Sequence, residues 1–85
     1  MALDILYFAW VREGTGTGQE RIDPPAEVVT VADLVAWLAR RGEGYASVLS
    51  DPAKLRAAVD QAFVSLDTSL AGAREVAIFP PVTGG

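Results

Sequence analysis

An α+β domain, with one helix packed across one face of a small mixed sheet, is the fold class that these 85 residues predict. Three observations carry that reading. The chain opens on an apolar, strand-like run, holds one helix with signals at both ends, and closes with three short strand-like runs. Together they give the order β-β-α-β-β-β, with no internal repeat, linker or second domain.

Residues 3–11 (LDILYFAWV) are apolar or aromatic apart from Asp4 and suit a strand. Alternation places Leu3, Ile5, Tyr7, Ala9 and Val11 on one face, and Leu6, Phe8 and Trp10 on the other. Residues 13–19 (EGTGTGQ) are turn material. A short strand around residues 20–23 completes a hairpin, which Pro24 and Pro25 close off. The helix is TVADLVAWLARRG, residues 30–42. Thr30 is its N-cap, with Asp33 three residues on in an approximate capping box. Val31, Leu34, Val35 and Leu38 make one apolar stripe. Arg40 and Arg41 suit the dipole in the last turn, and Gly42 fits the position just past the end. Residues 44–52 (GYASVLSDP) predict a helical turn using Tyr45, Val48 and Leu49, stopped before Pro52. Residues 55–59, 63–66 and 75–79 predict strands.

The helix stripe occupies one face of the sheet. Phe8, Trp10, Phe63 and Phe79 compete for the other. Either they form an uncovered aromatic surface, which on so small a domain is a partner site, or they fold around an edge and pack on loops.

Composition narrows the chemistry. The chain has no cysteine, hence no disulfide, thiolate metal site or thiol nucleophile. It has no histidine either, which removes the usual base near neutral pH and the commonest metal ligand. A net charge of −4 without a Lys/Arg cluster argues against nucleic acid and anionic membranes as partners. The start lacks a basic n-region and a small-residue cleavage site, and no segment is long enough to span a membrane. A cytoplasmic location is therefore expected. GTGTG (residues 14–18) suggests a phosphate cradle only superficially, since the spacing is wrong for a dinucleotide fingerprint and no Lys-Ser/Thr follows. It reads as a mobile hairpin loop. Asp51, Asp60 and the scattered glutamates show no pairing and read as solvated surface. No metal site and no catalytic motif is visible within the chain.

The ending FPPVTGG, residues 79–85, is the unusual stretch. Pro80 and Pro81 favour an extended conformation and cannot donate to a ladder, so they direct the chain off the sheet. Six residues in that state reach on the order of 18–20 Å. Val82 and Thr83 offer modest side chains to a groove, while Gly84 and Gly85 lack Cβ and fit a narrow channel. The Gly85 α-carboxylate is sterically open and can attack the α-phosphate of ATP to form an acyl-adenylate. A frayed terminus with chance glycines is the competing explanation, weakened by the rigid Pro-Pro and the apolar run before it.

YFAWVRE, TVADLVAWLARRG, LRAAVDQAFVSLDTSL and EVAIFPPVTGG together make the whole chain resemble the small sulfur-carrier subunits of molybdopterin synthase. The resemblance implies a ubiquitin-like β-grasp fold, with a domain over residues 1–79 and a flexible, extended tail over residues 80–85. It implies a carrier rather than an enzyme. A ubiquitin-activating-type adenylyltransferase would use ATP and magnesium to make a glycyl-adenylate at Gly85. A sulfurtransferase or desulfurase would then supply sulfur for a thiocarboxylate. With Pro80, Pro81, Val82, Thr83 and Gly84 threaded into the large synthase subunit, Gly85 would donate sulfur to cyclic pyranopterin monophosphate (precursor Z). Two donations build the dithiolene of molybdopterin. The resemblance further implies a heterotetramer with the large subunit, catalytic residues on that subunit, and no cofactor bound by the carrier itself. It assigns partner contact to Phe8, Arg12, Phe63 and Phe79. The alternatives are a carrier for thiamine or cysteine synthesis, a ubiquitin-like modifier conjugated through Gly85, and an adaptor with an inert tail.

Overall fold

The computed structural model describes residues 2–81. Strand β1 is Leu3–Tyr7, with Leu3, Ile5 and Tyr7 buried on one side as alternation predicts. The expected continuation to Val11 does not occur. Phe8 is still extended, but Ala9 turns to φ 53° and the chain enters helix α1, Ala9–Thr15. The expected loop over residues 13–19 is thus half helix. Gly16, at φ 80°, caps α1 in the left-handed conformation that glycine adopts without steric cost. Two tertiary contacts favour the helix. Val11 is driven into the core from α1, and Gly14 allows α1 to meet helix α3, Glu43–Leu49. A Cβ on Gly14 would overlap Val48, and one on Gly44 would overlap the Gly14 carbonyl oxygen.

Strand β2 (Gln19–Ile22) returns antiparallel to β1. Helix α2 (Val31–Ala39) has the predicted start. Asp33 N–H donates to Thr30 Oγ1 at 3.1 Å, and Thr30 N–H donates back to Asp33 Oδ2 at 3.1 Å, a complete capping box. Those backbone bonds hold the exposed Asp33 carboxyl below its ordinary pKa. Val31, Leu34, Val35 and Leu38 are all buried, and each contributes roughly 1.5–3 kcal/mol relative to exposure. The far end differs from expectation. Arg40 is the C-cap, Arg41 turns away to an ion pair, and Gly42 starts α3 instead of ending α2.

After a 3-10 turn, Pro52–Lys54, come β3 (Arg56–Val59), β4 (Ala62–Val64) and β5 (Glu75–Phe79). The strand order is β2-β1-β5-β3-β4. The central pair β1–β5 is parallel and the other pairs are antiparallel, giving the mixed sheet predicted. The core lies between α2 and the face carrying Ile5, Tyr7, Val76 and Ile78. Asp60 is not merely solvated. It sits with Gln61 in a two-residue turn, both at positive φ, and its Oδ1 accepts the Arg74 and Glu75 amides at 3.0 Å each. That carboxylate ties the β3–β4 hairpin to the start of β5.

Candidate partner face and tail root

The sheet face away from α2 has no helix across it among the described residues. One register row runs Leu6, Ala77, Ala58, Phe63 over β1, β5, β3 and β4. Two alanines in the middle keep the centre low, and larger side chains rise on either side. Phe8, Phe63 and Phe79 line the resulting groove with Leu6, Ala58 and Ala77. Phe63 is 83% exposed and Phe8 48%, so both rings present carbon to solvent rather than wrapping an edge. Phe79 is partly buried, its ring tilted against that of Phe63 with centroids 5.7 Å apart. Trp10 leaves this set because it belongs to α1, although it too is exposed.

Arg12 stands beside Phe8 on α1, its guanidinium lying over Gly18, which has no side chain to displace it. Three of the four expected contact residues, Phe8, Phe63 and Phe79, therefore share one surface, and Arg12 borders it. Ala58 and Ala77 escaped the sequence reading, though the EVAIF alternation already places Ala77 between Glu75 and Phe79. The last strand delivers the tail to this surface. β5 ends at Phe79, and Pro80 and Pro81 follow outside the ladder, both partly buried. Val82, Thr83, Gly84 and Gly85 lie outside the described residues.

On the opposite side of the sheet sits a polar cluster that sequence reasoning assigned to solvent. Glu20 Oε2 accepts from Tyr7 Oη at 2.8 Å and Tyr45 Oη at 2.9 Å, while Oε1 takes Arg41 Nη1 at 2.9 Å. Burial alone would raise the Glu20 pKa. The bonds from Tyr7, Tyr45 and Arg41 outweigh it and hold the carboxyl below the glutamate range. Burial, reinforced by the bond to Glu20, pushes Tyr7 well above the usual tyrosine value and raises Tyr45. The cluster is structural, since every one of these polar groups is engaged within the fold. Among the described residues no three His, Cys, Asp or Glu side chains are grouped to hold a metal, and no helix is long and apolar enough to cross a membrane.

Among the described residues the site is thus an open apolar face with the end of β5, Pro80 and Pro81 at its edge. Comparison with known proteins identifies the family. The chain is 43% identical to the molybdopterin synthase sulfur carrier subunit of Escherichia coli (strain K12), over 98% of this chain and 99% of that protein. It is 32% identical to the protein of the same name from Haemophilus influenzae, with the same coverage. A solved Pyrococcus furiosus structure, provisionally named molybdopterin converting factor subunit 1, superposes with a TM-score of 0.71. The two are 26% identical, over 96% of this chain and 99% of that one, and the shared architecture is the ubiquitin-like β-grasp. The family model described as the ThiS family matches residues 5–85, from within β1 through the diglycine, and the chain belongs to that family.

Proposed function

We propose that this chain is the sulfur-carrier subunit of molybdopterin synthase. The observation that carries the proposal is the aromatic face ending at the tail root: Phe8, Phe63 and Phe79 line one open groove, and β5 ends beside it with Pro80 and Pro81 following outside the ladder. The two curated relatives with that name, aligned over nearly their full lengths, support it.

In this reading the Gly85 carboxylate oxygen attacks the α-phosphate of ATP, held with magnesium by a ubiquitin-activating-type adenylyltransferase, and pyrophosphate leaves. A persulfide on a sulfurtransferase or desulfurase then displaces AMP at the glycyl carbon, and a thiol cleaves the resulting acyl disulfide, leaving a thiocarboxylate on Gly85 and a disulfide as the oxidised product. Docked on the large subunit, with residues 80–84 threaded inward, the thiocarboxylate transfers its sulfur to cyclic pyranopterin monophosphate, and hydrolysis returns the carboxylate. Two such cycles supply the dithiolene. The carrier's own work is to bind and to position, and acid–base catalysis falls to the large subunit. A chain lacking histidine and cysteine suits that division, because sulfur rides on the terminal carbon rather than on a side chain.

Reconstitution tests the proposal. With activating enzyme, ATP, a sulfur source, large subunit and pterin precursor, the full chain is expected to yield molybdopterin. A chain lacking Gly85 is expected to yield none while still docking. Product formed equally well without Gly85 would refute the carrier role.

A further inference from the structure

Charged groups stand at both ends of the open face. At the end away from the tail the charges are mixed: Asp4 and Glu75 are register neighbours on β1 and β5, Asp60 is joined to the Glu75 amide, Arg74 lies in the same group and Arg21 pairs with Asp4. At the tail end stand two arginines. Arg12 follows β1 on α1, and Arg56 is the β3 residue directly opposite Phe79. Because β1 and β3 are the two neighbours of β5, these cations bracket the strand end from which the tail departs.

Arg21 bonds Asp4 and Arg41 bonds Glu20, but Arg12 and Arg56, like Arg40 and Arg74, make no ion pair with a carboxylate among the described residues. Arg56 is nonetheless held in place. Its Nη1 donates to the Leu55 carbonyl at 2.8 Å and reaches the Ala53 carbonyl at 3.4 Å. That places the side chain on the wall of a groove shared with Phe63 and Phe79. Its Nε and Nη2 donors engage no described residue. A guanidinium anchored through one nitrogen, with the others open, is preorganised for a carboxylate.

We propose that Arg56 is a partner-recognition residue, and that the large subunit presents a carboxylate to it on the β3 side of the mouth that receives the tail. The proposal rests on the function assigned above and adds a second cationic point, opposite Arg12, to an otherwise apolar contact. Its effect is orientation. The two cations beside the tail root are drawn to the mouth, so the tail arrives at the channel during encounter.

The test is the association of the full chain with the large subunit, measured at low and high ionic strength for the parent, Arg56→Glu, Arg56→Leu and Phe79→Ala. At low salt Arg56→Glu is expected to weaken binding about tenfold or more, mainly through slower association, and the gap should narrow as salt rises. Arg56→Leu, which keeps an apolar stem, should lose less and retain the parent's thermal midpoint. Arg56→Glu and Arg56→Leu both binding within about twofold of the parent, while Phe79→Ala loses far more, would overturn the role of Arg56 alone. Failure of the unaltered chain to bind the large subunit would overturn the functional reading, and this inference with it.

Discussion

Glu20 shows how a single side chain can join segments that sequence keeps apart. Its carboxylate links β2 to Tyr7 on β1, to Tyr45 on α3 and to Arg41 after α2. Arg41 also lies over the rings of Trp37 and Tyr45, 5.6 and 5.3 Å from their centroids. Nothing about a glutamate in QERI announces this, because its partners come from three distant segments. The pH consequence follows from the lowered pKa. Its stabilising contribution is complete above the ordinary glutamate value and is lost as pH falls through the lower folded value. Glu20→Gln should cost about 1–3 kcal/mol near neutrality, because bonds to a charged acceptor become bonds to an amide. Urea melts across the acid range should show the parent losing stability below about pH 4.5 more steeply than the variant. Equal slopes would mean that the cluster contributes nothing through ionisation.

Helices α1 and α3 cross where Gly14 and Gly44 remove two side chains, and that crossing is what decides the fate of residues 8–15. Read locally, FAWV fits a strand as well as a helix. The decision comes from the positive-φ turn at Ala9 and from contact with a helix far along the chain, neither visible to alternation. The start of α2 was legible because Thr30, Asp33 and the stripe behind them act within a few residues of one another. Its end was not, since Gly42 serves equally to stop one helix or to begin the next. On an open helix, Gly→Ala gains about 1 kcal/mol from propensity. At Gly14 the sign should reverse. Gly14→Ala is expected to cost about 1–3 kcal/mol net, since its Cβ must displace Val48. An unchanged or raised thermal midpoint would show that the two helices separate freely.

Across the molecule, the sheet has one face committed to α2 and one left open among the described residues, with β5 ending at Phe79 beside the open face. The aromatic members of the open face were visible in the sequence, as Phe8, Phe63 and Phe79 are large apolar residues outside the helix stripe's core. Its floor was not, because Ala58 and Ala77 become informative only when register sets them side by side. Phe79, the residue joining face to tail, should behave as a hot spot. Phe79→Ala is expected to weaken docking on the large subunit by roughly 2–4 kcal/mol. A calorimetric change below about 0.5 kcal/mol would remove it from the interface.

Whether the terminal glycine carries sulfur is decided by the intact mass of the chain after incubation with the activating enzyme, ATP and a sulfur source. A species heavier by the difference between sulfur and oxygen is expected. That species should be lost on hydrolysis and should not form when Gly85 is deleted. Recovery of the unmodified mass alone, with activating enzyme, ATP and sulfur source shown to be competent on another carrier, would contradict a sulfur-carrying glycine.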